Sequence, residues 1–148
     1  MKIYLGSDHN GLDLKRRVVQ YLSQGGYEVI DDGDYKQDPE DDFPVFASRV
    51  VNAMKSSDDK TPRGILICGS GQGMCMAANR FKGIRAALCW NSKEAYSARN
   101  DDDSNILCLS AKSTSSKEAE EIINVWLNTP FAASSRFTRR LSELDELV

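Results

Sequence analysis

The chain holds one histidine, four cysteines and no C-x-x-C pair. A structural zinc site needs four such ligands at short spacings, so none is expected. Cys68, Cys75, Cys89 and Cys108 are scattered, and the start MKIYLGSDH has too short an apolar region for a signal peptide. Reduced thiols in a cytoplasmic protein are therefore expected. No apolar run approaches the length of a membrane span. Net charge is −3, and no basic block carries interleaved aromatics, which argues against nucleic acid as the main partner. Internal repeats and low-complexity segments are also lacking. What is present is 148 residues, 41% hydrophobic and 28% charged, which suits one globular domain with a sizeable core.

The apolar pattern alternates short runs with helical spacing. Lys2 to Ser7, Tyr27 to Ile30, Ile65 to Cys68, Gly83 to Cys89 and Asn105 to Leu109 read as strands. Between them lie segments with apolar residues at helical spacing, such as Leu14, Val18 and Leu22, or Phe46, Val50 and Met54. Asn91 or Ser92 suits the cap of the fourth connection, and Ser115 or Ser116 that of the fifth. A final helix, about 135–147, carries Phe137, Leu141 and Leu144. Asp31 to Asp42 is acidic and polar and reads as a solvated loop. Strands alternating with helices predict an α/β chain with a parallel sheet covered on both faces. Ligands then bind at the carboxyl ends of the strands, where the order reverses.

One stretch stands out, Arg63 to Arg80, RGILICGSGQGMCMAANR. It reads as strand, glycine-rich turn and helix start, which is the plan of an anion site. Cys68 is the last strand residue, and a helix start beside a thiol favours its charged form. The glycine spacing is not the dinucleotide fingerprint, no phosphate-binding G-x-x-x-x-G-K-[ST] is present, and a serine-hydrolase elbow needs glycine where Cys68 stands. The same letters also fit a tight turn with Cys68 as a core residue. Beyond this stretch, the polar set is Asp8, His9, Asp101 to Asp103, and Arg136 with Arg140. The two arginines lie four apart on one helix face, a spacing that grips a phosphate or simply faces solvent.

GSDHNG at 6–11, DFP at 42–44, CGSGQGMCMAANRFKGIRAALC at 68–89, NDDDSNIL at 100–107 and SRFTRR at 135–140 resemble ribose-5-phosphate isomerase type B and the related galactose-6-phosphate isomerases. The resemblance runs nearly end to end. It implies a Rossmann-like three-layer α/β/α sandwich whose five-stranded parallel sheet has the order 2-1-3-4-5. It implies an aldose–ketose isomerase of the pentose phosphate pathway, taking ribose 5-phosphate to ribulose 5-phosphate through a cis-enediolate with no cofactor or metal. It also implies a homodimer with shared active sites, sometimes paired into tetramers.

Residue by residue, the resemblance makes Cys68 the base that moves the proton. Ser70 contacts the reacting oxygens, and Gly69, Gly71 and Gly73 supply amide donors. Asp8, His9, Phe43 and Asp102 fall at substrate-binding positions, and His9, Lys112, Arg136 and Arg140 at phosphate-binding ones. Where the family usually has histidine and asparagine, this chain has Asp101 and Asp102. The missing histidine is the usual acid/base for ring opening, so Asp101, or Asp8 together with His9, is the candidate replacement. That departure leaves two alternatives: an isomerase of a tetrose or hexose phosphate, or a phosphosugar-binding protein with reduced turnover.

Overall fold

The computed structural model describes all 148 residues. Five parallel strands form one sheet: β1 (Lys2–Ser7), β2 (Glu28–Asp31), β3 (Arg63–Cys68), β4 (Ala86–Leu88) and β5 (Ile106–Ser110). Six α-helices accompany them: α1 (Leu12–Gln24), α2 (Phe43–Lys55), α3 (Gln72–Ala78), α4 (Ser92–Asn100), α5 (Ser116–Asn128) and α6 (Ser135–Asp145). A single 3-10 turn, His9–Gly11, precedes α1.

Alternation along the strands divides the core in two. Ile3, Leu5, Ile65, Ile67, Leu107 and Leu109 meet α1, α4 and α5 on one face. Tyr4, Leu66, Cys68, Ile106 and Cys108 meet α2 and α3 on the other. Helix starts use local chemistry. The Asn91 side chain accepts from the Glu94 N–H, and Ser115 forms a reciprocal capping box with Glu118.

The order is β2-β1-β3-β5-β4, so the expected 2-1-3-4-5 is corrected at its last two strands. The burial of the two strands explains the exchange. All five residues of β5 are buried, as in a strand flanked on both sides, whereas β4 is three half-buried residues. The outer edge of β4 is closed by one side chain: Asn79 Nδ2 donates to Ala86 O at 2.9 Å, and Ala86 N–H donates to Asn79 Oδ1 at 2.8 Å. Right-handed crossovers then put α3 on the face of α2. The step back from β4 to β5 puts α4 on the opposite face. The exchange leaves the reversal between β1 and β3 untouched.

Candidate active site

The turns after β1 and β3 meet at the reversal. Asp8 N–H donates to Ile67 O at 3.3 Å, and the Asp8 carboxylate caps the 3-10 turn by accepting from Gly11 N–H at 3.1 Å. Gly11 is required by close approach: a Cβ there would lie 2.5 Å from Ile67 O. Asn10 is drawn beside Gly69, its Nδ2 3.5 Å from where a Cβ on that glycine would lie. Asp8 is buried, and that burial raises its carboxyl above the usual range despite the Gly11 N–H and His9.

Cys68 is a free thiol, 5% exposed, at the end of β3. The Gly71 N–H donates to its sulfur at 3.1 Å. Gly71 has φ of 77°, the left-handed region that glycine enters without cost, and this turns the chain from the loop into α3. The carbonyl of Gly69 is tied to the turn after β5, accepting from Ser110 Oγ at 2.8 Å and Lys112 N–H at 3.0 Å. Because a trans peptide points its C=O and N–H in opposite directions, the Ser70 N–H is turned away from β5. Neither Gly69 N–H nor Ser70 N–H is spent inside the chain. Ser70 Oγ is exposed and accepts from Gln72 N–H at 3.3 Å. The Phe43 ring lies over Gly73, where a Cβ would meet it at 2.9 Å, and the Lys112 stem lies over Gly69.

His9 is held by a residue that the sequence did not mark. Asp41 Oδ1 accepts from His9 Nδ1 at 2.5 Å and from His9 N–H at 3.2 Å. The Asp41 bond raises the imidazole above its ordinary value, against a smaller opposing effect of burial, and Asp8 and Asp38 add to the rise. The acidic loop that carries Asp41 is braced from below. Fully buried Lys15 donates to Asp31 Oδ1 and to Asp34 O, each at 2.5 Å. The loop also continues the sheet pairing, with Ser7 N–H donating to Gly33 O and Asp34 N–H to Ser7 O, both at 2.8 Å. The stretch 31–42 read as solvated is therefore partly buried structure. Ser110 was likewise unmarked, since a strand-end serine carries no distinctive spacing. Asp8, His9 and Asp41 could gather round a metal ion, their ligand atoms lying within 4.8 Å of one another. Without an ion, the short Nδ1···Oδ1 contact between two of them is a hydrogen bond.

Of the remaining thiols, Cys89 and Cys108 are buried, and burial pushes Cys89 up to about 12. Cys75 is half-buried and is brought down to about 7, chiefly by the S–H of Cys108.

The structure thus brings together Asp8, His9, Phe43, Cys68, Ser70, the turn glycines and Lys112. Asp101, Asp102, Arg136 and Arg140 are elsewhere. The 101–103 loop enters β5 at its amino end, and the register pairs Gly64 with Ile106 but Cys68 with Ser110. The loop and the thiol are thus separated by the sheet's length along β3, about 13 Å at 3.3 Å per residue. Arg140 lies near Asp102, whose carboxyl is raised by burial and by Asp101 and lowered by that arginine. Helix α6 is tied to the same region by Ala132 N–H to Asn100 O at 3.0 Å and by Arg85 to Asp145 at 3.8 Å. None of the residues of α6 is buried, although its apolar residues follow helical spacing.

An open doubly wound sheet with a thiol, unspent amides and a braced histidine at the reversal defines an α/β protein with a small-molecule site at its switch point. The model of the Ribose/Galactose Isomerase family matches residues 3–144, and the chain belongs to that family. It is 42% identical over 142 residues to a probable ribose-5-phosphate isomerase B of Mycoplasma pneumoniae, covering 96% of this chain and 91% of that one. The ribose-5-phosphate isomerase B structure of Clostridium thermocellum superposes with a TM-score of 0.93 at 41% identity, covering 99% and 97%. The Mycoplasma genitalium enzyme with bound ribulose-5-phosphate gives 0.91 at 39% identity, covering 99% and 95%.

Proposed function

We propose that the chain is an aldose–ketose isomerase that interconverts ribose 5-phosphate and ribulose 5-phosphate. The observation that carries this reading is Cys68 at the end of β3, beside amide groups with no partner of their own. It is supported by relatives that carry the same activity in name along nearly the whole chain.

Cys68 removes the proton from C2 and returns it to C1. The Gly71 N–H steadies the sulfur as its charge changes. The enediolate oxygen is met by the Gly69 and Ser70 amides and by Ser70 Oγ, and each such donor is worth roughly 3–4 kcal/mol. Asp8 and Phe43 hold the sugar, with Gly73 giving Phe43 room. His9 and Lys112 hold the phosphate, whose binding offsets the cost of orienting the reacting carbons.

The site is completed by a second copy. Asp101, Asp102, Arg136 and Arg140 cannot reach Cys68 of their own chain, and α6 has an amphipathic pattern with no buried residue. In a two-fold dimer the same residues of the other subunit meet the Cys68 turn, Asp101 at the sugar and the arginines at the phosphate. The protein works in the cytoplasm without a cofactor. The decisive measurement is exchange of the C2 proton of ribose 5-phosphate with deuterated water, together with formation of ribulose 5-phosphate. Binding without exchange would overturn the isomerase reading.

A further inference from the structure

At the end of the sheet opposite Cys68 lies a second cavity, of about 430 Å³. Its wall carries Lys55, Lys60, Arg63, Lys82 and Arg85 against a single carboxylate, Asp103. In a chain of net charge −3 this is a marked local excess of positive charge.

The carboxylate is already committed. Asp103 Oδ2 accepts from Arg85 at 2.9 Å, and Oδ1 accepts from Arg99 at 2.7 Å. Three guanidinium groups thus cluster around one acid, and Arg63 is the one left over. It makes no ion pair within 4.0 Å, and its internal bond is a long one to Pro62 O at 3.4 Å. Burial, and then repulsion from Arg99, lower the tendency of Arg63 to stay charged, with Arg85 adding to the effect and Asp103 and Asp59 opposing it. Asp59 is itself taken up elsewhere, by Lys2 N–H at 2.6 Å and Thr61 N–H at 2.9 Å. Asp145 lies 3.8 Å from Arg85, on a group that Asp103 already holds.

We infer that this cavity binds a small, multiply charged phosphate compound, with Arg63 as its central ligand and Lys55, Lys60 and Lys82 closing around it. An anion there restores the charge balance that the chain does not supply, and the guanidinium fork matches phosphate oxygens. The apolar lining is confined to Met54, Ile84 and the Pro62 ring, too little to stack a nucleobase. The ligand is therefore compact, a pyrophosphate or bisphosphate group rather than a nucleotide. Within one chain the cavity lies a sheet's length from the Cys68 turn, since β3 runs its full length between Arg63 and Cys68.

Inorganic pyrophosphate is the probe, titrated calorimetrically into the full-length protein and three variants. R136M/R140M removes the arginines assigned to the substrate phosphate; R63M and K55Q/K82Q alter the second cavity. Binding should survive R136M/R140M. It should weaken by about tenfold or more in R63M, as loss of a charge-assisted bond does, and also weaken in K55Q/K82Q. The lysine pair is exposed, so that variant gives an answer even where R63M fails to fold. Binding that vanishes in R136M/R140M, or that is unchanged in both cavity variants, or that is undetectable in the parent, overturns the proposal.

Discussion

The Nδ1 of His9 and the Oδ1 of Asp41 lie 2.5 Å apart, although 32 residues separate them in the chain. That contact fixes which ring nitrogen carries the inward proton and leaves Nε2 without a partner in the chain. It also sets the charge of the imidazole, because the neighbouring carboxylate favours the protonated form.

The first prediction follows from this pair. In D41N the raised His9 value falls back toward 6.5, its ordinary position. The chain has one histidine, so its imidazole nitrogens can be followed by NMR without ambiguity. The stability gained from the pair is fully present below the unfolded value and is lost as pH rises through the folded one. The imidazole charge assigned to the phosphate is lost over the same rise in pH, so KM for the phosphosugar should climb at a lower pH in D41N than in the parent, with kcat little changed. An unaltered His9 titration in D41N would show that Asp41 does not set the imidazole's charge.

Replacing Cys68 by alanine should lower turnover by at least the 10²–10⁴ ascribed to a positioned base, while phosphosugar affinity stays near that of the parent. Isotope exchange at C2 and equilibrium binding separate the two effects. Near-normal exchange in C68A would assign the proton transfer to another group.

The proposed sharing of sites between two copies predicts complementation between two inactive chains. C68A and R136A/R140A, mixed after dissociation, should recover about a quarter of parental activity, since half of random dimers are mixed and each has one complete site. No recovery, with mixed dimers demonstrated by mass spectrometry, would place all the working residues in one chain.

Gly11 and Gly73 are steric requirements of different kinds. In G11A the new methyl meets backbone, Ile67 O at 2.5 Å, and cannot be relieved by a rotamer change. A loss of roughly 1–3 kcal/mol in denaturant unfolding is expected, the usual cost of overpacking. In G73A the methyl meets the Phe43 ring at 2.9 Å, which can swing. Stability should fall less there, and KM should rise as Phe43 leaves the sugar.

Asp101 tests ring opening. An aspartate ionised at neutral pH accepts a proton far more readily than it donates one, whereas histidine does both. D101H should speed turnover of ribose 5-phosphate and change that of erythrose 4-phosphate less, because the tetrose cannot close a five-membered ring through its phosphorylated carbon. Slower turnover of both sugars in D101H would make Asp101 a working group in its own right.

The sequence by itself determined the elements and the residues of the turns after β1 and β3. Local causes suffice there: alternation places Ile65 and Ile67 on one face and Leu66 and Cys68 on the other, and Ser115 with Glu118 closes a cap three residues apart. Glycine spelling placed the bend after β3 for the same reason. Tertiary structure decided what depends on long-range packing. The places of β4 and β5 were settled by which strand could be buried on both sides, and both runs look alike as letters. Asp41 reaches His9 because Lys15 draws the acidic loop down onto the end of β1, and no local spacing encodes a salt bridge between a helix and a strand end. The separation of Asp101 and Arg140 from Cys68 follows from strand direction. A parallel sheet sends the end of β3 and the entry to β5 to opposite poles, so residues that look like one set in the sequence lie a sheet's length apart within one chain.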